Sequence, residues 1–167
     1  MKTRIGSVIF ALALSLCVLP IAAGAADIPA KSTYSNGQPY YIMVNRKMNT
    51  VTVYGLDENG CYSVPVRAMV CSVGTPDRAT PTGNFSIGVK HRWHLMVGNV
   101  YAQYLSQFHN ACLFHSICYA KPDPSTALPD TYDSLGEPAS HGCIRLQTED
   151  AKWIYDNASA GTKAVIF

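Results

Sequence analysis

The sequence predicts one mainly β domain with a short α-helix in its C-terminal third and a long loop before that helix. Three observations support this fold class. Short β-branched and aromatic runs separated by turn residues recur from residue 39 onward, prolines interrupt residues 121–140, and the hydrophobic period changes after Leu146. No internal repeat and no second domain is visible in the sequence.

The first 26 residues have the three parts of a secretory signal peptide. Lys2 and Arg4 precede an apolar run without charges, and small residues fill positions 23–26. We predict cleavage after residue 25 or 26, a short segment over 27–37 and one domain over 38–167. The protein is then exported to the cell wall, the extracellular face or the periplasm. A leader that is kept as a membrane anchor is the alternative.

The β elements follow one another with turn residues between them. Two strands separated by a turn are expected at 39–46 and 50–57, and a third at 63–74 after the turn "DENG". Residues 75–90 begin as a Pro/Gly/Thr connection and end in another strand. Two further extended runs, "YAQYLSQF" and "ACLFHSICY", complete this part of the sheet.

Residues 121–140 form a Pro-rich stretch that is too long for a plain linker, and such segments are often lids or binding loops. The helix follows, with Thr148 as its N-cap and Glu149 and Asp150 in its first turn. The helix residues that face the core are Trp153, Ile154 and Ala158, and Gly161 stops the helix. The segment "KAVIF" closes the chain as a strand.

Charge excludes some classes of partner. The chain has 13 basic and 11 acidic residues, and loss of Lys2 and Arg4 leaves 11 of each. No run of Lys or Arg stands out, which argues against nucleic acid as a partner. We expect a monomer.

The number of cysteines indicates that one thiol is not part of an intramolecular disulfide. Five remain after the leader, and an odd number in an exported protein leaves one of them free or in an intermolecular bridge. If Cys143 is the free one, the other four allow two disulfides in three pairings. Cys112 and Cys118 would lie roughly 20 Å apart in one extended strand, so they cannot pair unless the strand breaks. The other two are Cys61 and Cys71.

Cys143 has two histidines that could activate it as a nucleophile. His141 is two residues away, and in an extended segment both side chains share a face. His115 lies in an apolar strand, where alternation places it with Leu113 and Ile117 on one face. A base that accepts the thiol proton makes a cysteine a good nucleophile.

Several segments together resemble the L,D-transpeptidase catalytic domain of the YkuD family. The most specific are "SHGCIRL" (140–146) and "FHS" (114–116), and "ASHGCIRLQTEDAKWIYDN" extends the likeness to residue 157. The segments "TPTGNFSI" (80–87) and "RW…GNVYAQY" (92–104) appear before them in the expected order. The resemblance covers most of residues 38–167 and implies a single β-sandwich domain with a long active-site loop.

The resemblance also implies the roles of the site residues. Cys143 would be the nucleophile, His115 its general base, and the backbone carbonyl of Ser116 would orient the imidazole. His141 and Gly142 complete the motif, with backbone N–H groups around Gly142 and Cys143 stabilising the oxyanion.

Three further residues are candidates for substrate contacts. Arg145 would fix the turn or hold a substrate carboxylate, although a surface ion pair with Asp150 or Glu149 is its simpler explanation. The family resemblance implies that the two motif segments line a groove, and Tyr101 and Tyr104 are candidates for substrate contacts in it.

The family reaction is acyl transfer on peptidoglycan stem peptides, without a metal or cofactor. A cysteine attacks the diamino acid of a tetrapeptide stem, D-Ala leaves, and the acyl group passes to the side-chain amine of a neighbouring stem as a 3→3 cross-link. The same resemblance predicts that carbapenem-type inhibitors acylate Cys143.

Four alternatives remain open. Interception of the thioester by water gives an L,D-carboxypeptidase, and a noncatalytic wall-binding module would need no free thiol. A zinc site of Cys143, His141 and His115 lacks the His-Glu-x-x-His spacing of zinc hydrolases. A papain-like peptidase would have its cysteine before its histidine, whereas here His115 comes first.

Overall fold

The computed structural model describes residues 35–167, so the predicted signal peptide lies outside the described range. Within this range the protein is mainly β, as predicted. The strands are β1 (Tyr40–Asn45), β2 (Thr50–Leu56), β3 (Tyr62–Ser72), β4 (Gly83–Ser86), β5 (Lys90–Met96), β6 (Val100–His109), β7 (Cys112–His115), β8 (Ile144–Leu146) and β9 (Lys163–Ile166). Two helices, α1 (Pro129–Asp133) and α2 (Thr148–Asn157), complete the fold.

The strands form one curled sheet in the order β4-β9-β1-β2-β3-β8-β7-β6-β5. The long strand β3 joins its two halves, because its residues pair with β2 while Cys71 and Ser72 pair with β8. Strand β8 also pairs in parallel with β7. The two motif segments of the sequence are therefore neighbouring strands in the middle of the sheet.

The core lies inside the curl and is covered by α2. Ile42 and Val44 of β1 belong to the same buried cluster as Phe114 of β7, Ile144 of β8 and Ile154 of α2. Every second residue of β2 is buried, as alternation requires for a strand with one face on a core. Packing from both halves of the sheet thus holds the β7–β8 pair in a fixed position.

The predicted strand over 111–119 is wrong at its C-terminal end, because β7 ends at His115. The Ser116 hydroxyl accepts the N–H of Gln103 (2.9 Å) and donates to the carbonyl of Ile117 (2.7 Å). These bonds of a side chain replace regular backbone ladder bonds. Cys118 then turns toward the following loop, where its N–H donates to the Thr131 hydroxyl. The predicted alternation of faces therefore fails after residue 115.

The hairpin of β5 and β6 contains an element that the sequence did not indicate. Residues 91–96 carried no strand signal, because Lys90, His91, Arg92 and His94 interrupt the apolar pattern. Tyr104 has φ +56° in the middle of β6, where the ladder between β5 and β6 is interrupted at Tyr104 and Arg92 without a change of register.

The helical segments partly match the prediction. Helix α2 forms near the expected place, but its N-cap is Gln147, and the hydroxyl of Thr148 is bonded to the Tyr119 hydroxyl at 2.7 Å instead. It ends at Asn157 with Ala158 as its C-cap, so the prediction that Gly161 stops it is wrong. The predicted loop over 121–140 contains α1, a single helical turn that begins at Pro129. Neither α1 nor α2 has the length and apolar character of a bilayer-spanning helix.

The prediction of two disulfides is not confirmed, since the five cysteines between residues 35 and 167 are all thiols. Cys61 and Cys71 flank most of β3, and ten extended residues span about 33 Å. Cys71 is fully buried beside Leu146, and this burial raises the pKa of its thiol to about 12. The odd number of cysteines therefore no longer distinguishes Cys143 from the others.

Gly74 supports the turn that precedes Cys143, and no larger residue fits there. A methyl group on Gly74 would lie 2.1 Å from the carbonyl oxygen of Arg78 and 2.7 Å from the Thr80 nitrogen. We expect Gly74→Ala to lower the free energy of unfolding by at least about 2 kcal/mol, measured by urea denaturation. Gly88→Ala is the control, since its methyl would meet Gln107 Oε1 at an ordinary 3.6 Å. Equal urea midpoints for the two variants would contradict this expectation.

Candidate active site

The parallel pairing of β7 and β8 brings the two motif segments together. His115 is the register partner of Arg145, and Cys143 lies two residues before Arg145. Cys143 lies in the bend directly before β8, next to the start of the pairing with β7. One strand spacing and two residues of rise give a Cα–Cα separation of about 8 Å. A cysteine and a histidine side chain are long enough to meet across that separation.

A tight turn presents Cys143. Ser140 is buried, and its hydroxyl accepts the Gly142 N–H (3.2 Å) and donates to the Cys143 carbonyl (2.6 Å). Gly142 has φ +107°, a conformation that residues with a side chain rarely adopt. The Gly142 N–H was predicted to help stabilise the oxyanion, and in this arrangement it donates to the Ser140 hydroxyl instead.

The turn is braced from behind by the segment that follows β3. The N–H groups of Ala139 and Ser140 both donate to the Val73 carbonyl at 3.0 Å, and the Thr75 N–H donates to the Ser140 carbonyl at 3.0 Å. These bonds leave the residues before Cys143 little freedom. The Gly74 N–H in the same segment donates to the Thr80 hydroxyl (2.8 Å).

Cys143 opens into a cavity of about 300 Å³. Its thiol lies 3.7 Å from the Ala111 carbonyl, to which it donates a weak hydrogen bond. Burial raises the pKa of the Cys143 thiol to about 11, so the group is protonated at neutral pH. The cavity lining consists of Met96, Val97, Val100, Ala111, Cys118, Thr131, His141, Cys143 and Arg145.

His115 is a buried, neutral imidazole. Its Nδ1 lies 2.6 Å from the Ser116 carbonyl oxygen, which only accepts hydrogen bonds, so Nδ1 carries the proton. Nε2 is therefore left as the acceptor. Burial lowers the pKa of His115 to about 4, although the bond to Ser116 acts in the opposite direction. This is the protonation state that a general base needs before it takes a proton.

Arg145 ties the long loop to the site. Its guanidinium donates to the Ser134 hydroxyl (3.0 Å) and to the Ala139 carbonyl (3.1 Å), while its Nε is buried without a partner among residues 35–167. The simpler ion pair with Asp150 does not form, because Asp150 binds Arg67 at 2.6 Å. Contact of Arg145 with a substrate carboxylate stays a prediction.

The remaining predicted residues divide into two groups. His141 is exposed and lines the cavity. Tyr101 and Tyr104 do not line it: Tyr101 bridges to Tyr119, and the ring of Tyr104 faces α2, with the Arg92 guanidinium 3.9 Å from its centroid. A substrate contact of either tyrosine stays a prediction.

Most residues that line the walls of the cavity were not predicted from the sequence. Met96, Val97 and Val100 belong to the β5–β6 hairpin, which carried no strand signal before residue 101. Thr131 lies inside the stretch that was predicted to be a binding loop, and this was the one available signal. Ala111 and Cys118 flank β7 and carried no indication of their own.

Other features of the structure do not suggest a different site chemistry. In the described part of the chain no group of three or more His, Cys, Asp or Glu is arranged to hold a metal ion, so the zinc alternative gains no support. A larger cavity of about 790 Å³ lies near Arg46, Val73 and Phe167, and it contains none of the motif residues.

Comparison with known proteins shows which family this chain resembles. The model of the YkuD family, the L,D-transpeptidase catalytic domain, matches residues 39–166. The protein YciB of Bacillus subtilis (strain 168) is 38% identical over 96 residues, which are 55% of this chain and 48% of that protein.

Solved structures of this family have the same fold. The structure of LD transpeptidase LdtMt1 in complex with imipenem is 25% identical, with a TM-score of 0.63, and covers 78% of this chain and 60% of that chain. An L,D-transpeptidase from Mycobacterium tuberculosis H37Rv is 25% identical, with a TM-score of 0.60, and covers 78% of this chain and 58% of that chain. The chain thus spans about half to three fifths of the length of these relatives. Because the family model matches most of its length, this chain belongs to the YkuD family of L,D-transpeptidase catalytic domains.

Proposed function

We propose that this protein is a peptidoglycan L,D-transpeptidase that uses Cys143 as its nucleophile and forms 3→3 cross-links. One observation carries the proposal. A neutral thiol opens into a cavity, and on the neighbouring strand a buried neutral imidazole has its Nδ1 proton engaged by Ser116, which leaves Nε2 to accept a proton.

The first step is thioester formation. Cys143 Sγ attacks the carbonyl carbon of the third residue of a tetrapeptide stem, and the thiol proton passes to His115 Nε2. The C–N bond to terminal D-Ala then breaks, and the same proton goes from His115 to the departing amine. Since the thiol and the imidazole are both neutral at pH 7, the proton moves during the attack rather than before it.

The second step transfers the acyl group. The side-chain amine of a neighbouring stem attacks the thioester and gives up a proton to His115, and the C–S bond breaks. That proton returns to Cys143 Sγ, which restores the starting state. If water attacks instead, the same residues trim the stem as an L,D-carboxypeptidase.

The charges of the cavity suit an anionic donor stem. Its lining includes Arg145 and His141 and no Asp or Glu, while the hairpin of β5 and β6 contributes an apolar wall. A stem peptide carries free carboxylates that a guanidinium can bind. This substrate lies outside the cell membrane, so the proposal requires the export that the leader predicts.

The test is an intact mass spectrum of the protein after incubation with imipenem, with Cys143→Ala as the control. Imipenem is bound in the structure of the relative LdtMt1. We expect one covalent adduct per chain in the wild type and none in the variant. No adduct on a folded wild-type protein would refute the proposal and favour a noncatalytic wall-binding module. Identification of the products formed from tetrapeptide stems then distinguishes cross-linking from trimming.

A further inference from the structure

The residue that orients the candidate base is held by strand β6. Ser116 lies beyond the end of β7 and is buried, and its N–H donates to the Gln103 carbonyl (3.1 Å). The Gln103 N–H donates back to the Ser116 hydroxyl (2.9 Å), and this hydroxyl donates to the Ile117 carbonyl (2.7 Å). Three bonds thus fix one peptide unit after the regular pairing of β7 with β6 has stopped.

The backbone departs from regular pairing where Gln103 meets Ser116. The register pairs Ser106 with Phe114 and resumes with Tyr101 opposite Tyr119, so regular pairing would place Tyr104 opposite Ser116. Tyr104 has φ +56°, and the Ser116 N–H donates to the carbonyl of the preceding residue, Gln103. The ring of Tyr104 lies against Tyr155 of α2.

The side chain of Gln103 is buried and bonded at both ends. Its Oε1 accepts from the Arg92 guanidinium (2.5 Å), and its Nε2 donates to the Tyr119 hydroxyl (2.7 Å). That hydroxyl is also bonded to the Thr148 hydroxyl at the start of α2 (2.7 Å). A buried amide with all these partners has one position, so the backbone of Gln103 is immobilised from β5, from α2 and from the loop after β7.

We propose that Gln103 and the hydroxyl of Ser116 are positioning residues for His115, because together they hold the Ser116 carbonyl where it accepts the Nδ1–H. The inference rests on the proposed role of His115 as general base. A carbonyl displaced from this position stabilises the Nδ1–H tautomer less, and the Nε2–H tautomer cannot take the thiol proton. Neither Gln103 nor the Ser116 hydroxyl touches the reacting atoms in this arrangement.

Two variants and a matched control test the inference. Ser116→Ala removes the hydroxyl and keeps the carbonyl, and Gln103→Met removes the amide bonds at similar length. Ser106→Ala is the control, because its buried hydroxyl on the same strand has no hydrogen-bond partner among residues 35–167. The readouts are the rate constant of acylation by imipenem, the affinity of its noncovalent complex, and the His115 tautomer from ¹⁵N NMR shifts of the ring nitrogens.

We expect Ser116→Ala to slow acylation by about tenfold or more, with the noncovalent affinity changed by less than about threefold. The Nδ1–H tautomer of His115 should lose population in the same variant. Gln103→Met should move both readouts in the same direction by a smaller factor, and Ser106→Ala should leave both unchanged. A merely structural role of the hydroxyl would lower the melting temperature without moving the tautomer.

The inference is overturned if folded Ser116→Ala keeps the wild-type acylation rate and the wild-type tautomer. If Ser116→Ala does not fold, Gln103→Met decides in the same way. If imipenem does not acylate the wild-type protein, the proposed function has failed. The tautomer populations of the wild type and the three variants still test the positioning role separately.

Discussion

Replacing Cys143 with serine is expected to lower the rate of D-Ala release from a tetrapeptide stem by at least about 10⁴-fold. A serine hydroxyl is a much weaker acid than a thiol whose pKa burial raises to about 11. His115 is a weak base, because burial lowers its pKa to about 4. Proton transfer to this imidazole is therefore less favourable from a serine hydroxyl than from the thiol. The measurement is D-Ala release by the purified protein under saturating substrate.

Cys61→Ser is the matched control for this result. Cys61 lies in the turn between β2 and β3, and it is not among the residues that line the Cys143 cavity. The same atom exchange there should leave D-Ala release within about twofold of the wild-type rate. A Cys143→Ser protein with a tenth of the wild-type rate would contradict the assignment of Cys143 as nucleophile.

Local patterns explain the parts of the fold that the sequence predicted. The hairpin of β1 and β2 follows from β-branched alternation around a turn, and α2 follows from the change of period after Leu146. The motif segments around His115 and Cys143 were found because each is a short contiguous run. Their pairing as neighbouring strands agrees with the groove that the family resemblance implied.

Contacts between distant segments explain what was missed. The end of β7 at His115 depends on a side chain–backbone bond between Ser116 and Gln103, and no local pattern encodes it. The interruption of the β5–β6 ladder at Tyr104 likewise depends on contacts between strands. The odd number of cysteines did not identify Cys143, because all five cysteines between residues 35 and 167 are thiols. Geometry, and not the number of cysteines, is what distinguishes Cys143 from the other four.

Replacing His115 with glutamine is expected to slow acylation of Cys143 by imipenem by about 10²- to 10⁴-fold at pH 7. The amide fills a similar space and cannot accept the thiol proton. The measurement is the adduct mass as a function of time. Asn110→Gln, an exposed change at the β6–β7 turn, is the control and should acylate at the wild-type rate. A His115→Gln protein that acylates within about threefold of the wild type would exclude His115 as the base.

The same variant separates the proposed base from a spectator through its pH dependence. His115 has its ordinary pKa of 6.5 in the unfolded chain and a pKa of about 4 in the fold, because burial disfavours the imidazolium. Wild-type acylation should therefore persist at pH 5 and fall as the pH drops through about 4.

The free energy of unfolding should depend on pH through the same group. Between pH 6.5 and 4 the unfolded chain binds more protons than the folded one, so the contribution of this histidine to the free energy of unfolding, about 3 kcal/mol, is complete above pH 6.5 and is lost toward pH 4. In His115→Gln both the acid limb of acylation and this part of the pH dependence of urea unfolding should disappear. An acid limb near pH 6.5 would instead mean that the imidazole is hydrated and its burial incomplete, and a base of ordinary strength would then have to replace the one derived from the fold.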